Sequence, residues 1–572
     1  MSKARKDALI AEIVDICAGL STENSPVGRY TSEKAPYSAL LSPYRIGTAA
    51  LSNRCLIAPQ TMIGGSFIPN DAAIRFYLER SKAAVLTTGP LRAGTVSEPQ
   101  SMFRWISLNE KLHARGTKIL LQISLDGASP RHVAALAASA AAACFDGVCL
   151  DARCHDADSI ETVRTIYSKL GNSFLIIARV SLSPAVYESD LVPSGKRPVR
   201  SMAEELELLT NLAQAGVNAF EIGLGGPDTP WLLQPSSQMP AGCFAEAARA
   251  VKAHFRYLGI QTAVVASGKL SFPDLSEDLL QNGYCDMISL DGAGISDPSW
   301  FDKLDAGRVE DICPQPLPDY DVPCGQETIA VVGAGCRGLC YAIRAADAGH
   351  RVELFEAKEQ PGGTLALYSS RAAYEKQNLL AYLLRELEKR PKIQLHTATR
   401  ADVELLKRGH YDRIAFACSA AAISAPNIPG WGEIPFVTAD SPANALHGAW
   451  KRKHVAVLGS DALACELAWR LLSEGLARKV ALITERPEIL PDEPEPDRAW
   501  FRHHFTQRGG VLFSGCRLNR MRRHTIFAED IVSGKEQHIR CDAILLAEQS
   551  PAPLRLYEEA VRERLAPQIQ LL

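Results

Sequence analysis

Between residues 50 and 300 the apolar positions fall into short, near-continuous runs. These are RCLIA (54–58), AAVLTTG (83–89), KILLQIS (118–124), GVCLDA (147–152), FLIIARVS (174–181), AFEIGLG (219–225), TAVVASG (262–268) and MISLDG (287–292). Runs without strict alternation suit parallel strands buried on both faces. The stretches between them have room for helices, for example at 202–214, 241–256 and 273–282. Eight strand–helix units over about 250 residues match a (β/α)8 barrel, with an open doubly wound sheet as the competing arrangement.

A barrel of this kind carries its chemistry at the C-terminal ends of the strands. The residues at those ends are Pro59, Gln60 and Thr61, then Gln122, Asp151 and Arg153, Arg179, and Gly268 with Lys269. Gln122 and Arg179 interrupt otherwise apolar strands. A buried Gln or Arg needs partners, and either a bound polar ligand or an internal salt bridge or backbone hydrogen bond supplies them.

The pattern changes after residue 310. Residues 311–326 (DICPQPLPDYDVPCGQ) are Pro-rich and aperiodic, which reads as a linker. An apolar strand then runs into Gly333-Ala-Gly335-Cys-Arg-Gly338, a helix, and a second strand ending at Glu356, with Gly362 and Gly363 close behind. Glycines of this spacing allow a tight turn and close approach of a diphosphate to a helix start. An acidic residue about 20 positions on binds ribose hydroxyls. A second unit repeats the order at HVAVLGSDALACELAWRLLSEGLARKVALITER. Its turn keeps Gly459 but has Asp461 at the middle glycine, which sets a carboxylate toward the diphosphate position. Glu485 ends its second strand and favours NADH, with Arg486 beside it pulling the other way. This unit therefore reads either as a nicotinamide site or as a nucleotide-type fold that no longer binds.

Composition narrows the class. Sixty-two basic against 65 acidic residues leave a net charge of −3, with no electrostatic footprint for nucleic acid. The start, MSKARKDALIAEIVDICAGL, has its apolar stretch broken by Glu12 and Asp15 and reads as an amphipathic helix rather than a signal peptide. The Ala-rich run from Val133 to Phe145 is too short to span a bilayer. A cytoplasmic protein without membrane contact is expected. The 15 cysteines are scattered from Cys17 to Cys541, as for reduced thiols rather than a disulfide scaffold. His503 and His504 read as surface residues of a helix.

A barrel followed by tandem dinucleotide units resembles the NADH:flavin oxidoreductases of the old yellow enzyme family, in the branch of 2,4-dienoyl-CoA reductase and trimethylamine dehydrogenase. PYRIGTAALSNRCLIAPQTM (43–62), KILLQISLDG (118–127), IIARVS (176–181), ISDPSWFDKLDAGRVEDI (295–312) and IAVVGAG (329–335) carry the resemblance. It implies a (β/α)8 barrel with FMN, an FAD domain, an NADH domain, and hydride transfer from NAD(P)H through flavin to an activated alkene or similar small substrate. By the resemblance Pro59, Gln60 and Thr61 line the flavin. Gln122 bonds its pyrimidine edge, Arg179 stabilises negative charge near N1 and O2, and Gly268 approaches the phosphate. Gly333, Gly335, Gly338, Glu356 and Gly363 hold FAD, and Gly459 and Glu485 serve the nicotinamide nucleotide.

The implied layout is an N-terminal extension (1–36), a barrel (37–310), the linker (311–326), an FAD-type domain (327–450 with 540–572) and an NAD(P)-type domain (451–539). Several motifs depart from the family. Where the family carries four clustered cysteines for a [4Fe–4S] cluster, this chain has only Cys313 and Cys324, and it has no C-x2-C spacing anywhere. No cluster and no other metal is expected. Asp151 and Cys154 stand at the family's His pair, with His155 shifted by one. Leu125 replaces a His, and DGAG near Gly292 lacks the phosphate-binding Arg. Ala417-Cys418-Ser419 and Ala547-Glu548-Gln549 replace the expected FAD turns. These departures open a second reading, a catalytically degenerate relative in a hetero-complex with an active paralogue. An FAD-binding module is a third, and related barrels also form homo-oligomers.

Overall fold

The eight apolar runs become eight parallel strands. In the computed structural model they are β1 (Cys55–Ile57), β2 (Val85–Pro90), β3 (Lys118–Ser124), β4 (Gly147–Asp151), β5 (Leu175–Ser181), β6 (Ala219–Gly223), β7 (Ala263–Ala266) and β8 (Met287–Leu290). Each pairs with the next, and β8 pairs back onto β1, so the sheet closes as a barrel. The structure describes residues 3–18, 27–59, 69–90, 99–125, 128–152, 158–183, 200–226, 228–368, 370–417, 421–422, 426–439, 450–547, 550–551 and 555–572. They divide into two units, Met1–Pro316 and Leu317–Leu572.

In the first unit the helices alternate with the strands. They include α1 (Lys3–Ala18), α2 (Asp71–Glu79), α3 (Pro99–His113), α4 (Pro130–Ala142), α5 (Ser159–Leu170), α6 (Met202–Ala215), α7 (Ala245–Leu258), α8 (Pro273–Gln281), α9 (Gly292–Ser296) and α10 (Trp300–Asp305). Helix starts follow local chemistry. Ser129 caps α4, where Pro130 follows, and Ser201 with Glu204 forms a capping box on α6. The expected N-terminal helix is α1, which docks on α7. Ile13 is fully buried and Glu12 pairs with Arg249 at 2.6 Å.

The barrel interior is layered. Leu56, Val85, Leu120, Cys149, Ile177, Ala219, Val265 and Met287 form one apolar cluster, to which the hairpin Tyr44–Ile46/Ala49–Leu51 adds Ile46 and Leu51. Side chains alternate along a strand, so the residue two positions further on shares the face. That step reaches Thr87, Gln122, Asp151, Arg179, Glu221 and Ser289. An apolar layer is thus overlaid by a polar one at the C-terminal end.

The second unit holds β9 (Thr328–Val332), β10 (Arg351–Phe355), β11 (Ile393–His396), β12 (Arg413–Phe416), β13 (Phe436–Thr438), β14 (His454–Leu458), β15 (Lys479–Ile483), β16 (Val511–Phe513), β17 (Cys516–Arg522), β18 (Thr525–Asp530), β19 (Glu536–Arg540), β20 (Ala543–Leu546) and β21 (Gln568–Leu571). One parallel sheet runs β11-β10-β9-β12-β21 and the other β13-β20-β14-β15-β16, while β17–β19 form an antiparallel sheet. Helices α11 (Cys336–Asp347), α12 (Tyr374–Glu388), α13 (Ala462–Ser473) and α14 (Glu495–Gln507) complete the unit's main elements.

The structure moves three expectations. Phe436–Thr438 and Ala543–Leu546 belong to the second sheet, because Ala543–Leu546 is the strand that pairs with His454–Leu458. The second nucleotide sheet therefore starts before 451 and runs past 539. The Pro-rich segment is divided at 316/317, since Val322 is buried in the core of the second unit with Leu317 and Tyr320 against it. His504 is half-buried rather than exposed. It stacks on Trp500 with ring centroids 4.5 Å apart, and its Nδ1 lies 2.8 Å from the Trp500 carbonyl.

Candidate cofactor sites

At the barrel mouth the polar layer is bonded to itself. The Gln122 side chain donates to Asp151 Oδ2 at 3.2 Å. Arg179 lies between two carboxylates, with Nε 3.1 Å from Glu221 Oε2 and Nη1 4.0 Å from Asp151 Oδ2. The Nε contact is an ion pair without hydrogen-bond alignment. Ser289 donates to Glu221 Oε1 at 3.2 Å. Of the two partners open to Arg179 from sequence, the internal salt bridge is therefore present. The Thr87 hydroxyl is buried with no partner among the described residues. Pro59 is half-buried just beyond β1, while Gln60, Thr61, Arg153, Cys154 and His155 lie outside the described residues.

The loops after β7 and β8 meet at Asp291. Gly268 has φ +94°, and a Cβ there would lie 2.8 Å from the Phe244 ring, so packing alone requires glycine. The Lys269 N–H donates to Asp291 Oδ2 at 2.8 Å. The Lys269 ammonium donates to the carbonyls of Ser236, Ser237 and Met239 at 3.0, 3.1 and 2.8 Å. Ser271 donates to the Asp291 carbonyl and lies 3.3 Å from Oδ1. This donor set does not fit an FMN phosphate.

The first dinucleotide turn is different. Gly333 has φ +103°, and a Cβ on Gly338 would lie 1.9 Å from the Gly333 carbonyl oxygen. Gly335 is the N-cap of α11 with no side chain capping it, and a Cβ there would meet nothing closer than Gly363 Cα at 3.9 Å. Three glycines thus serve the tight turn, the open approach and the close packing that a bound diphosphate needs. Gly335 bridges to Gly362, and Gly363 follows with φ +55°. Glu356 is buried. Its carboxylate accepts from the N–H groups of Ala334 and Lys358, both at 2.9 Å, leaving a further lone pair on each oxygen for ribose hydroxyls. These residues fit FAD. Ala417 is buried against the turn, whereas Cys418, Ser419, Glu548 and Gln549 lie outside the described residues.

The second turn is self-capped. Gly459 has φ +144°, and Asp461 is the N-cap of α13, its carboxylate accepting the Ala464 N–H at 2.8 Å. Burial pushes this carboxyl above its ordinary range, against the backbone hydrogen bonds. Glu485 is exposed, 3.9 Å from Arg517. A cavity of about 330 Å³ joins the two turns, within the range of ligand pockets. Its lining includes Cys336, Gly362, Tyr368, Lys376, Asp461 and Glu493. Lys376 sits 4.0 Å above the Tyr368 ring and 3.7 Å from Glu493. A hydrogen bond with Cys340 and the charge of Arg337 bring the Cys336 thiol down to about 7, against burial.

Sequence reasoning missed Glu221, Ser289 and Lys376, because their roles arise from neighbouring strands and helices rather than from spacing. The two cysteines of the Pro-rich segment have different surroundings. The Cys313 thiol donates to the Gln315 carbonyl, and Cys324 is exposed. Among the described residues no three His, Cys, Asp or Glu side chains converge as metal ligands.

Residues 327–553 match the model of the pyridine nucleotide-disulphide oxidoreductase family. A metal reductase of Desulforamulus reducens is 24% identical over 77% of this chain and 78% of its own. An NADH oxidase of Thermoanaerobacter brockii is 24% identical over 68% of this chain and 62% of its own. The structure of histamine dehydrogenase from Rhizobium sp. 4-9 superposes with a TM-score of 0.76 at 18% identity, covering 94% of both chains. The barrel, the paired nucleotide sheets and these likenesses converge: residues 327–553 form a pyridine nucleotide-disulphide oxidoreductase domain, and the chain as a whole resembles, and shares the fold of, the NADH:flavin oxidoreductases in the branch of 2,4-dienoyl-CoA reductase and trimethylamine dehydrogenase.

Proposed function

We propose that the chain oxidises NAD(P)H, NADH by preference, through FAD bound at the Gly333–Gly338 turn, and delivers the electrons to a small acceptor. The observation that carries this reading is the uncapped start of α11 at Gly335, open on the ligand side and backed by Gly338 and Glu356. Backbone N–H groups at such a helix start bind a diphosphate. Glu356, held by two backbone N–H groups, presents its remaining lone pairs to the ribose. Bound FAD supplies hydride acceptance and electron transfer, which no side chain offers. The walls of the cavity exclude water and orient the donor, with Lys376 as the cation beside Asp461 and Glu493.

The acceptor suggested by the resemblance is an activated alkene. The names of the NADH oxidase and metal reductase suggest dioxygen and metal ions as alternatives. The reading includes no [4Fe–4S] cluster, supported by the cysteine spacing. It takes the protein to be cytoplasmic; among the described residues no helix is long and apolar enough to cross a membrane. A second reading, a degenerate subunit or scaffold beside an active paralogue, is favoured by the carboxylate of Asp461 at the diphosphate position.

The test is anaerobic addition of NADH and of NADPH to the purified chain while its visible flavin band is followed. Bleaching by NADH, with reoxidation by an alkene, dioxygen or a ferric chelate, supports the enzyme and names its acceptor. Bound FAD that neither nucleotide bleaches favours the scaffold, and a chain that takes up no FAD ends the proposal.

A further inference from the structure

We infer that the barrel of this chain excludes phosphate-bearing flavin, because the Asp291 carboxylate occupies the place of the phosphate. In closed barrels a ligand phosphate is held by the loops after the seventh and eighth strands. Here those are the loops after β7 and β8. Of the backbone N–H groups in these loops, that of Lys269 already donates to Asp291 Oδ2 at 2.8 Å. The Ser271 hydroxyl is directed to the Asp291 carbonyl, and its oxygen accepts the Gly294 N–H at 3.2 Å.

Positive charge is also committed elsewhere. Lys269 is the one cation on residues 267–272 and 291–299. Its three N–H donors reach three carbonyls, and the residue is buried. Arg80 approaches the second loop, but its Nε donates to the Ile295 carbonyl and its Nη1 to that of Phe76, at 2.7 and 2.9 Å. A phosphate entering here would meet a carboxylate where it needs N–H donors or a cation, and like charges at close range in a partly buried site repel strongly. The polar layer below makes the same point. Arg179, the guanidinium implied for the flavin ring, is already balanced by Glu221 and Asp151.

The mouth of the barrel therefore suits an uncharged or non-phosphorylated ligand. Resting on the function proposed above, the chain carries one flavin, FAD, in the second unit.

The experiment uses the full chain. Flavin released from the purified protein is separated into FAD and FMN. The protein is then titrated with FMN and with riboflavin, which differ by the phosphate alone. Little or no FMN on release is expected, with FMN binding no more tightly than riboflavin. In Asp291→Gly the preference for FMN over riboflavin should rise about tenfold or more. Asp291→Asn, which keeps the shape and an acceptor oxygen, should move the ratio in the same direction if the glycine variant folds poorly. About one FMN per wild-type chain, or wild-type binding of FMN tighter than riboflavin, would overturn the inference. So would an unchanged ratio in both variants. The FAD content of the same release decides the proposed function separately, since a chain lacking FAD would sink that reading and leave the FMN comparison intact.

Discussion

Arg179 Nε lies 3.1 Å from Glu221 Oε2, joining the fifth and sixth barrel strands through their inward faces. Both side chains are largely removed from water, at 15% and 3% exposure. Removing one member of a buried pair leaves the other uncompensated, which costs about 3–5 kcal/mol. Replacing both with apolar or neutral groups of similar size costs far less. Arg179→Met and Glu221→Gln should each lower stability in urea unfolding, and the double variant should lose clearly less than the sum. Additive losses would show that the two do not act as a pair.

The glycines of the first turn separate packing from binding. Ala at Gly338 puts a methyl 1.9 Å from the Gly333 carbonyl oxygen, so the turn must open. Gly338→Ala should lose about 1–3 kcal/mol of stability and FAD with it. Gly335 has φ −76°, which alanine adopts freely, and its Cβ would enter open space. Gly335→Ala should keep stability within about 0.5 kcal/mol while weakening FAD about tenfold or more. Flavin content and thermal unfolding of the two variants check this, and a Gly335→Ala chain with full FAD would remove the turn from the site.

Much of the fold is written in period and punctuation. The eight apolar runs of the barrel are continuous because both faces are buried, and Gly333, Gly335 and Gly338 mark a turn whose spacing has one efficient use. The sites are less legible. Arg179 announces a need for a partner without naming it, because Glu221 is 42 residues away and is brought alongside only by strand register. Asp291 is one acidic residue in a loop, and its meaning depends on the N–H of Lys269, 22 positions earlier. Sheet membership was hidden for the same reason, since nothing local in Phe436–Thr438 says which sheet it joins.

Asp461 tunes the second turn. It satisfies the Ala464 N–H itself, so a nucleotide diphosphate competes with a carboxylate for the start of α13. Asp461→Gly restores the small residue and frees that N–H. The KM for NADH should fall about tenfold with kcat little changed, because the change acts on binding rather than on the reacting atoms. Steady-state rates at varied NADH check this, and an unchanged KM would mean that the diphosphate is held elsewhere.

His504 gives the second unit an acid limit. Burial against Trp500 holds its pKa down to about 4, from an ordinary value of 6.5, despite the hydrogen bond to the Trp500 carbonyl. The unfolded chain therefore takes up this proton before the folded chain does. The contribution of neutral His504 is complete above pH 6.5, declines as pH falls, and levels off below about 4. The whole loss is about 3 kcal/mol. His504→Phe keeps a flat ring on Trp500 and has no proton to take up, so its stability should be flatter between pH 6.5 and 4 than that of the wild type. Urea midpoints across that interval measure the difference, and parallel declines in the two proteins would assign the acid sensitivity to other groups.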